Sequence, residues 1–522
     1  MACYHMGINL GHDRSVAVVR DGEILVAIEN ERLDRIKHSV GYTLQAPGNA
    51  THIQLPLEAM TYCLDHLGID YQDLTTITAN MPGEDLTSTI LTSRLPRTVA
   101  RNVLQIPSHH LAHAYSAYLP SGFDSAIVLV VDGAGSTITQ DGQRATESYT
   151  VYAATDTRLE VIHSEKVPAH LAGLSTLGFV YEHLTRLAGF VTHLADQLSV
   201  PEPGKLMGLA PYGRLQPALQ PRFETRDGSY RIQISAYDIL LELESIKQRY
   251  GVPAERPYLE PSVVDLAFKV QHELEQALIH IVSLAKRKTG LNRLCLAGGV
   301  ALNSVANTKL LTEVQLADVF TFPAAGDSGI AAGCALWAYH TQELGRRRVR
   351  LRHAYLGRPY SAQEIDRALE SFADAIEVQR LEPEALVKVS AGALARGHVI
   401  ARFDGGSEYG PRALGHRSIL ADPTFREMKH ILNARVKFRE SFRPFAPIVP
   451  LESLSSVFEV DIPQPFMLMT PKVREVYRET LPAITHIDAT GRVQSLTAED
   501  NPYLYALCRA VEQIRGGPPV LL

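Results

Sequence analysis

One local pattern occurs twice in this chain and restricts its fold more than any other feature: a β-rich run, a short loop of small and acidic residues, and a second β-rich run. The first copy reads Met6-Gly7-Ile8-Asn9, then Gly11-His12-Asp13-Arg14-Ser15, then Val16-Ala17-Val18-Val19-Arg20. The dipeptide Asp21-Gly22 separates this from Glu23-Ile24-Leu25-Val26-Ala27-Ile28, which predicts a hairpin. The polar loop ahead of the hairpin exposes backbone N–H groups of the kind that hold phosphate. The second copy reads Ala126-Ile127-Val128-Leu129-Val130-Val131, then Asp132-Gly133-Ala134-Gly135-Ser136, and later Tyr149-Thr150-Val151-Tyr152-Ala153-Ala154. At 522 residues the chain is too long for one ordinary core, so two or three domains are expected.

Composition excludes several classes. Apolar residues at 45% and charged residues at 21% are ordinary for a globular protein, and a net charge of -6 gives no global attraction for nucleic acid. The five cysteines, Cys3, Cys63, Cys295, Cys334 and Cys508, are scattered, which predicts free thiols in a reducing compartment. No apolar run has the length of a membrane span, and Met1 to Gly7 lack a leader pattern, so the expectation is a cytoplasmic protein. The basic run Gly345 to Arg352 marks the best boundary: one domain over 1–345, a linker over 346–354 and a second domain over 355–522.

Candidate chemistry gathers at predicted strand ends. His109 and His113 are four apart in Ser108-His109-His110-Leu111-Ala112-His113, so on a helix both imidazoles share one face and can share one metal. Asp132 ends a strand, and Asp327 follows Val319-Phe320-Thr321-Phe322, so each offers an oxygen ligand. A helix predicted over Leu266 to Lys288 leads into the strand Arg293 to Ala297 and the turn Gly298-Gly299-Val300-Ala301-Leu302-Asn303, where backbone can approach a ligand closely. Beyond the boundary, Tyr409-Gly410-Pro411-Arg412-Ala413-Leu414-Gly415 and Lys437-Phe438-Arg439-Glu440-Ser441-Phe442-Arg443-Pro444-Phe445 interleave cations with aromatics, glycines and prolines. That pattern describes a shaped anion pocket rather than an amphipathic helix.

These motifs, with Gly11-His12-Asp13, Glu29-x-Glu31-Arg32, Lys37-His38, Gly204-Lys205-Leu206-Met207-Gly208 and Gly326-Asp327-Ser328-Gly329, follow one order along nearly the whole chain. In that order the chain resembles the O-carbamoyltransferases typified by the nodulation protein NodU and by the tailoring enzymes of aminoglycoside and cephamycin pathways. The resemblance implies an α/β protein of two parts: an actin-like (ASKHA, TsaD-like) N-terminal domain and an α/β YrdC-like C-terminal domain. It implies that the second domain makes carbamoyl-adenylate from carbamoyl phosphate and ATP with Mg. The first would then transfer the carbamoyl group to a hydroxyl of a natural product or glycan.

By the same resemblance His109, His113, Asp132 and Asp327 hold Fe(II) or another divalent metal, and His12 is catalytic. Lys37 and Lys205 would contact phosphate, Gly298, Gly299 and Asn303 the adenosine, and Arg412, Lys437, Arg443 and Arg492 the phosphates in the second domain. His110 is expected to face the core or orient a ligand. The family continues past an apolar strand with an Asn-Thr-Ser-Phe-Asn stretch, where this chain reads Pro518 to Leu522, so the expectation is a C-terminal domain cut short. A tRNA threonylcarbamoyl transferase, a sugar-kinase-like enzyme and a nucleotide-binding regulatory protein are the alternatives. No membrane or nucleic-acid partner is expected, and a homodimer is compatible with the sequence. The loops Gly41 to Leu55, Asp85 to Arg97 and Leu174 to Val200 would line the acceptor pocket, but their residues carry no code for the acceptor.

Overall fold

The computed structural model describes residues 3–46, 49–83, 87–140, 142–156, 158–193, 199–216, 223–234, 256–342 and 348–522. Part of the basic run (345–347) and parts of the expected acceptor loops (47–48, 85–86 and 194–198) lie outside these. Two compact units are formed, Met1–Leu351 and Arg352–Leu522.

The first unit is built on two sheets of the same plan. In one, Tyr4–Asn9, Ser15–Arg20 and Glu23–Glu29 form an antiparallel meander, and Leu74–Asn80 and Val103–Gln105 add on the other side in parallel. In the other, Ser125–Val131, Gln143–Thr155 and Arg158–Pro168 form the meander, and Arg293–Ala297 and Asp318–Thr321 add in parallel. This duplicated meander-plus-parallel arrangement is the actin-like architecture. The hairpin turn falls at Asp21-Gly22, with Asp21 at φ 54° and Gly22 at φ 77°.

The repeat is longer in its second copy than the sequence pattern suggests. The strand expected over Tyr149 to Ala154 spans Gln143–Thr155, and Thr137–Gln140 pairs with its first residues. Gln143 and Arg144 are polar and exposed, and Thr146, Glu147 and Ser148 are polar although buried, so the added residues carry little apolar signal.

Between the sheets lie two helices. His109–Tyr118 packs on the second sheet and Ile330–Gln342 on the first, and the two helices pack on each other. Glycine permits both approaches. A Cβ on Gly7 would stand 1.9 Å from the Ala331 carbonyl, and one on Gly333 would stand 1.9 Å from the Ala112 carbonyl. Ser108 caps the first of these helices by accepting from the Leu111 N–H at 3.1 Å. The long helix runs Pro261–Thr289, five residues ahead of the predicted start, with proline in its first turn. Arg348 and Leu351 are tied to the first unit: the Arg348 guanidinium pairs with Asp124 at 2.7 Å and the Leu351 N–H donates to the Pro120 carbonyl at 2.8 Å.

The second unit is also α/β. Ile400–Phe403 pairs antiparallel with Arg417–Leu420, and Ile448–Pro450 pairs parallel with Gln494–Leu496. The last residues lie between the two pairs, Leu522 bonding Ala421 and Leu521 bonding Ile448. Helices Pro383–Ala395 and Pro502–Arg515 pack together, joined by the Tyr503 hydroxyl donating to Ser390 Oγ at 2.9 Å. The core includes Met428, Leu432, Val449, Leu454, Phe458 and Val520. Among the described residues no helix is long and apolar enough to cross a membrane.

Candidate metal centre and anion pocket

The loops at the carboxyl ends of the central strands meet where the two sheets face each other. There His109, His113, Asp132 and Asp327 converge, each buried, with one donor atom from each inside a 4.8 Å span. His113 Nε2 lies 3.0 Å from Asp132 Oδ2, and His109 Nε2 lies 3.4 Å from that oxygen and 3.5 Å from Asp327 Oδ1. Donor atoms about 2.0–2.2 Å from one ion, at tetrahedral or octahedral angles, stand roughly 3.0–3.5 Å apart, so the set fits a divalent metal. The supporting bonds fit as well. His109 Nδ1–H donates to Asn80 Oδ1 at 2.7 Å, which leaves Nε2 bare for a ligand bond. Asp132 Oδ1 accepts the N–H groups of Gly133 at 2.8 Å and Gly299 at 3.3 Å, so Oδ2 faces the site.

Electrostatics give the same result. Burial favours neutral carboxyls at Asp132 and Asp327, yet the adjacent histidines hold both well below the usual carboxylate range. Burial also works against a charged His109, but Asp327 and Asp132 outweigh it and push its pKa up to about 9. Two ionised carboxylates in a buried pocket call for a cation, and a divalent metal could take the place of the histidine proton in that role. His110 stands apart: its Nδ1 bonds Thr150 Oγ1 at 2.8 Å, and burial lowers its pKa to about 4, so it is a neutral core residue.

His12 lies at the mouth of this group. Its Nε2 is 3.2 Å from Asp327 Oδ2 and its side chain is 47% exposed, against 4% for Asp327. Gly298 has φ 90° and would place a Cβ 2.2 Å from the Val131 carbonyl, so only glycine fits there. The remaining expected contacts are arranged differently. Lys37 and Lys205 both pair with Glu202, at 3.4 and 2.5 Å, and lie together there rather than among the metal-site donors. Asn303 caps the helix Ser304–Glu313 through the Ala306 N–H at 3.1 Å, and its amide pairs doubly with Gln271 at 2.9 and 3.1 Å. Gln271 also accepts from Tyr181 at 2.7 Å, so Asn303 belongs to a buried network that joins three helices. Asn80, Gln271 and Glu182 carry no local sequence signal. Glu182 stands close enough to the centre that Asp132 and Asp327 add to burial in raising its pKa.

In the second unit Arg412, Lys437, Arg443 and Arg492 come together, with Arg439 as a fifth member. Burial, then Arg443, lowers Arg412 to about 10. Burial, then Arg412, Arg439 and Arg443, depresses Arg492 further. Lys437 is lowered by burial and by Arg439 and Arg443. Arg439 is held by Asn433 Oδ1 at 2.8 Å and lies over the Phe445 ring at 4.4 Å. Glu440 stands 3.6 Å from Arg443 and offsets Arg439, but among the described residues no carboxylate perturbs Arg412 or Arg492, and the Arg492 Nε has no hydrogen-bond partner there. Like charges gathered this way describe a receptor for a multiply charged anion.

Comparison with known proteins agrees. Residues 76–336 match the family model described as the carbamoyltransferase N-terminus, and residues 391–522 match the carbamoyltransferase C-terminus. The nodulation protein NolNO of Sinorhizobium fredii is 33% identical over 98% of this chain and 73% of its own length.

The chain belongs to the carbamoyltransferase family.

As a carbamoyltransferase it is a transferase enzyme. It is also 36% identical to the nodulation protein NolO of Bradyrhizobium diazoefficiens, over 80% of this chain and 72% of that one. The 3'-hydroxymethylcephem-O-carbamoyltransferase of Streptomyces clavuligerus is 34% identical over 43% of this chain and 40% of its own. In this carbamoyltransferase the N-terminal match contains His109, His113, Asp132 and Asp327, and the C-terminal match contains all five clustered cations.

Proposed function

We propose that the protein is an ATP-dependent O-carbamoyltransferase that activates carbamoyl phosphate in its second unit, of YrdC-like type, and transfers the carbamoyl group in its first. The observation that carries this reading is the pair of chemically different sites on one chain: an anion receptor short of counter-charge, and a buried His₂Asp₂ centre with a histidine at its mouth.

In the second unit Arg412, Lys437, Arg443 and Arg492 would bind the phosphates of ATP and carbamoyl phosphate. Water cleaves carbamoyl phosphate to carbamate and phosphate, the carbamate oxygen attacks the α-phosphorus of ATP, and pyrophosphate leaves. Adenylation is needed because carbamate is a poor electrophile, and it turns a carbamate oxygen into part of a leaving group. In the first unit the acceptor hydroxyl attacks the carbamoyl carbon, the bond to AMP breaks, and His12 takes the hydroxyl proton. A divalent metal on His109, His113, Asp132 and Asp327 would stabilise the charge developing on the departing phosphate. The glycine turn Gly298-Gly299 leaves room for the nucleotide, while Asn303 acts one step back by fixing the helix behind that turn. The relative named as a 3'-hydroxymethylcephem-O-carbamoyltransferase supports a hydroxyl as the acceptor group, and a natural product or glycan is the proposed carrier of that hydroxyl.

The test is ATP–pyrophosphate exchange. Exchange that requires carbamoyl phosphate, and that is lost in Arg492→Met, supports activation in the second unit. Exchange without carbamoyl phosphate, or none in the wild type, rejects it.

A further inference from the structure

Lys437, Arg439 and Arg443 leave the backbone of a single loop, and one buried amide governs the path of that loop. The short helix Met428–Ile431 widens into a π turn over Leu432–Val436, so the Lys437 N–H reaches back to the Leu432 carbonyl at 2.8 Å. Phe438 then takes a φ of 48°, in the left-handed region that side chains avoid, and the chain reverses until the Arg439 N–H donates to the Asn433 carbonyl at 3.0 Å.

The Asn433 side chain, 3% exposed, works on both sides of that reversal. Its Oδ1 accepts from Arg439 Nε at 2.8 Å, and its Nδ2 donates to the Arg443 carbonyl at 3.3 Å. The rest of the Arg439 guanidinium meets the Pro444 carbonyl at 3.3 Å and the Phe445 ring at 4.4 Å. An amide oxygen, a carbonyl and an aromatic face all orient a guanidinium, and none of them carries a net charge. Glu440 offsets Arg439 less than burial and Arg443 oppose it, and its pKa falls to about 10, so Arg439 stays charged at neutral pH.

A receptor for a multiply charged anion needs cations that are fixed before the ligand arrives and still unneutralised when it does. We propose that Asn433 is a positioning residue for anion binding: it fixes Arg439 as a further phosphate-binding cation and, being an amide rather than a carboxylate, leaves the charge of Arg439 to the ligand. The inference rests on the reading of the clustered cations as an anion receptor.

The experiment is calorimetric titration of the full chain with tripolyphosphate, with melting curves recorded in the absence of that anion. Asn433→Asp keeps an oxygen at Arg439 Nε and adds a negative charge. It is expected to weaken tripolyphosphate by about 10- to 100-fold, the value of one contact to a charged group. The anion-free variant is expected to melt no lower than the wild type, because the new carboxylate relieves repulsion among Lys437, Arg439 and Arg443. A purely structural asparagine would lose melting temperature and affinity together.

Asn433→Ala removes the orientation and keeps the charges. It is expected to weaken binding in the wild-type background but by less than about twofold once Arg439 is already methionine, since it acts through that residue. Unchanged affinity in Asn433→Asp, a melting temperature that falls with the affinity, or losses from Asn433→Ala and Arg439→Met that multiply in full each overturn the proposal. Failure of the receptor reading shows separately, as a wild-type protein that does not bind tripolyphosphate, and the proposal falls with it.

Discussion

Leu522 and Ala421 exchange both of their backbone hydrogen bonds, at 2.9 and 3.1 Å. One residue earlier, Leu521 does the same with Ile448 at 3.0 and 2.7 Å, so the last residues join the two strand pairs of the second unit. Val520, Leu521 and Leu522 are all buried. Burying three such side chains is worth about 5 kcal/mol, comparable to the whole stability of many domains. Deleting 520–522 is therefore expected to leave the rest of the second unit, 352–519, protease-sensitive while Met1–Leu351 stays resistant, as read by limited proteolysis and mass spectrometry.

His109 owes its orientation to Asn80. Asn80→Ala is expected to weaken metal binding by about 10- to 100-fold, measured by chelator competition, with little change in fold. His109→Ala is expected to abolish both metal retention and carbamoyl transfer in a chain that still folds. Undiminished metal in that variant would remove the centre from the mechanism.

Read as an anion pocket, the clustered cations would trade stability for binding. Arg492 is held among Arg412, Arg439 and Arg443, and its Nε has no hydrogen-bond partner among the described residues, so Arg492→Met is expected to stabilise the ligand-free protein. A gain of about 1 kcal/mol raises the melting temperature of a unit this size by roughly 2–4 °C. The same variant is expected to lose the stabilisation that tripolyphosphate gives the wild type. Calorimetry with and without that anion checks both halves.

Chelator-treated protein should depend on pH in a defined window. The folded-state pKa of His109, about 9, is above its ordinary value of 6.5, so its contribution to stability is complete below pH 6.5. That contribution is lost as pH rises through 9. Asp132 and Asp327 are depressed, so theirs is present above the ordinary carboxylate value and does not change across this range. The melting temperature of the first unit is expected to fall between pH 6.5 and 9 without metal. It is expected to hold with metal, which binds better as the proton leaves. A flat profile in chelator would refute the charge assignment.

What the sequence disclosed was local. The Asp21-Gly22 turn, the strand Ser125–Val131 and the helical spacing of His109 and His113 are set by neighbours in the chain, and each is where the pattern puts it. What it withheld was pairing at a distance. Asn80 meets His109 across 29 residues, and Gln271 meets Asn303 across 32. Lys37 and Lys205 look alike as phosphate ligands until Glu202 is seen between them. Arg439 was in plain view beside Lys437, but only Phe445 and Asn433 show that it turns inward.

The two helices between the sheets give the metal centre a mechanical meaning. His109 and His113 belong to the helix packed on the second sheet, and Asp327 heads the helix packed on the first. An ion held by all of them is thus a rivet through both layers. Shear of one half of the unit against the other would pull Asp327 away from the histidines, so an ion bound there would oppose it. Hydrogen exchange in Tyr4–Asn9 should then slow when metal is added, although the nearest ligands lie on other strands and helices.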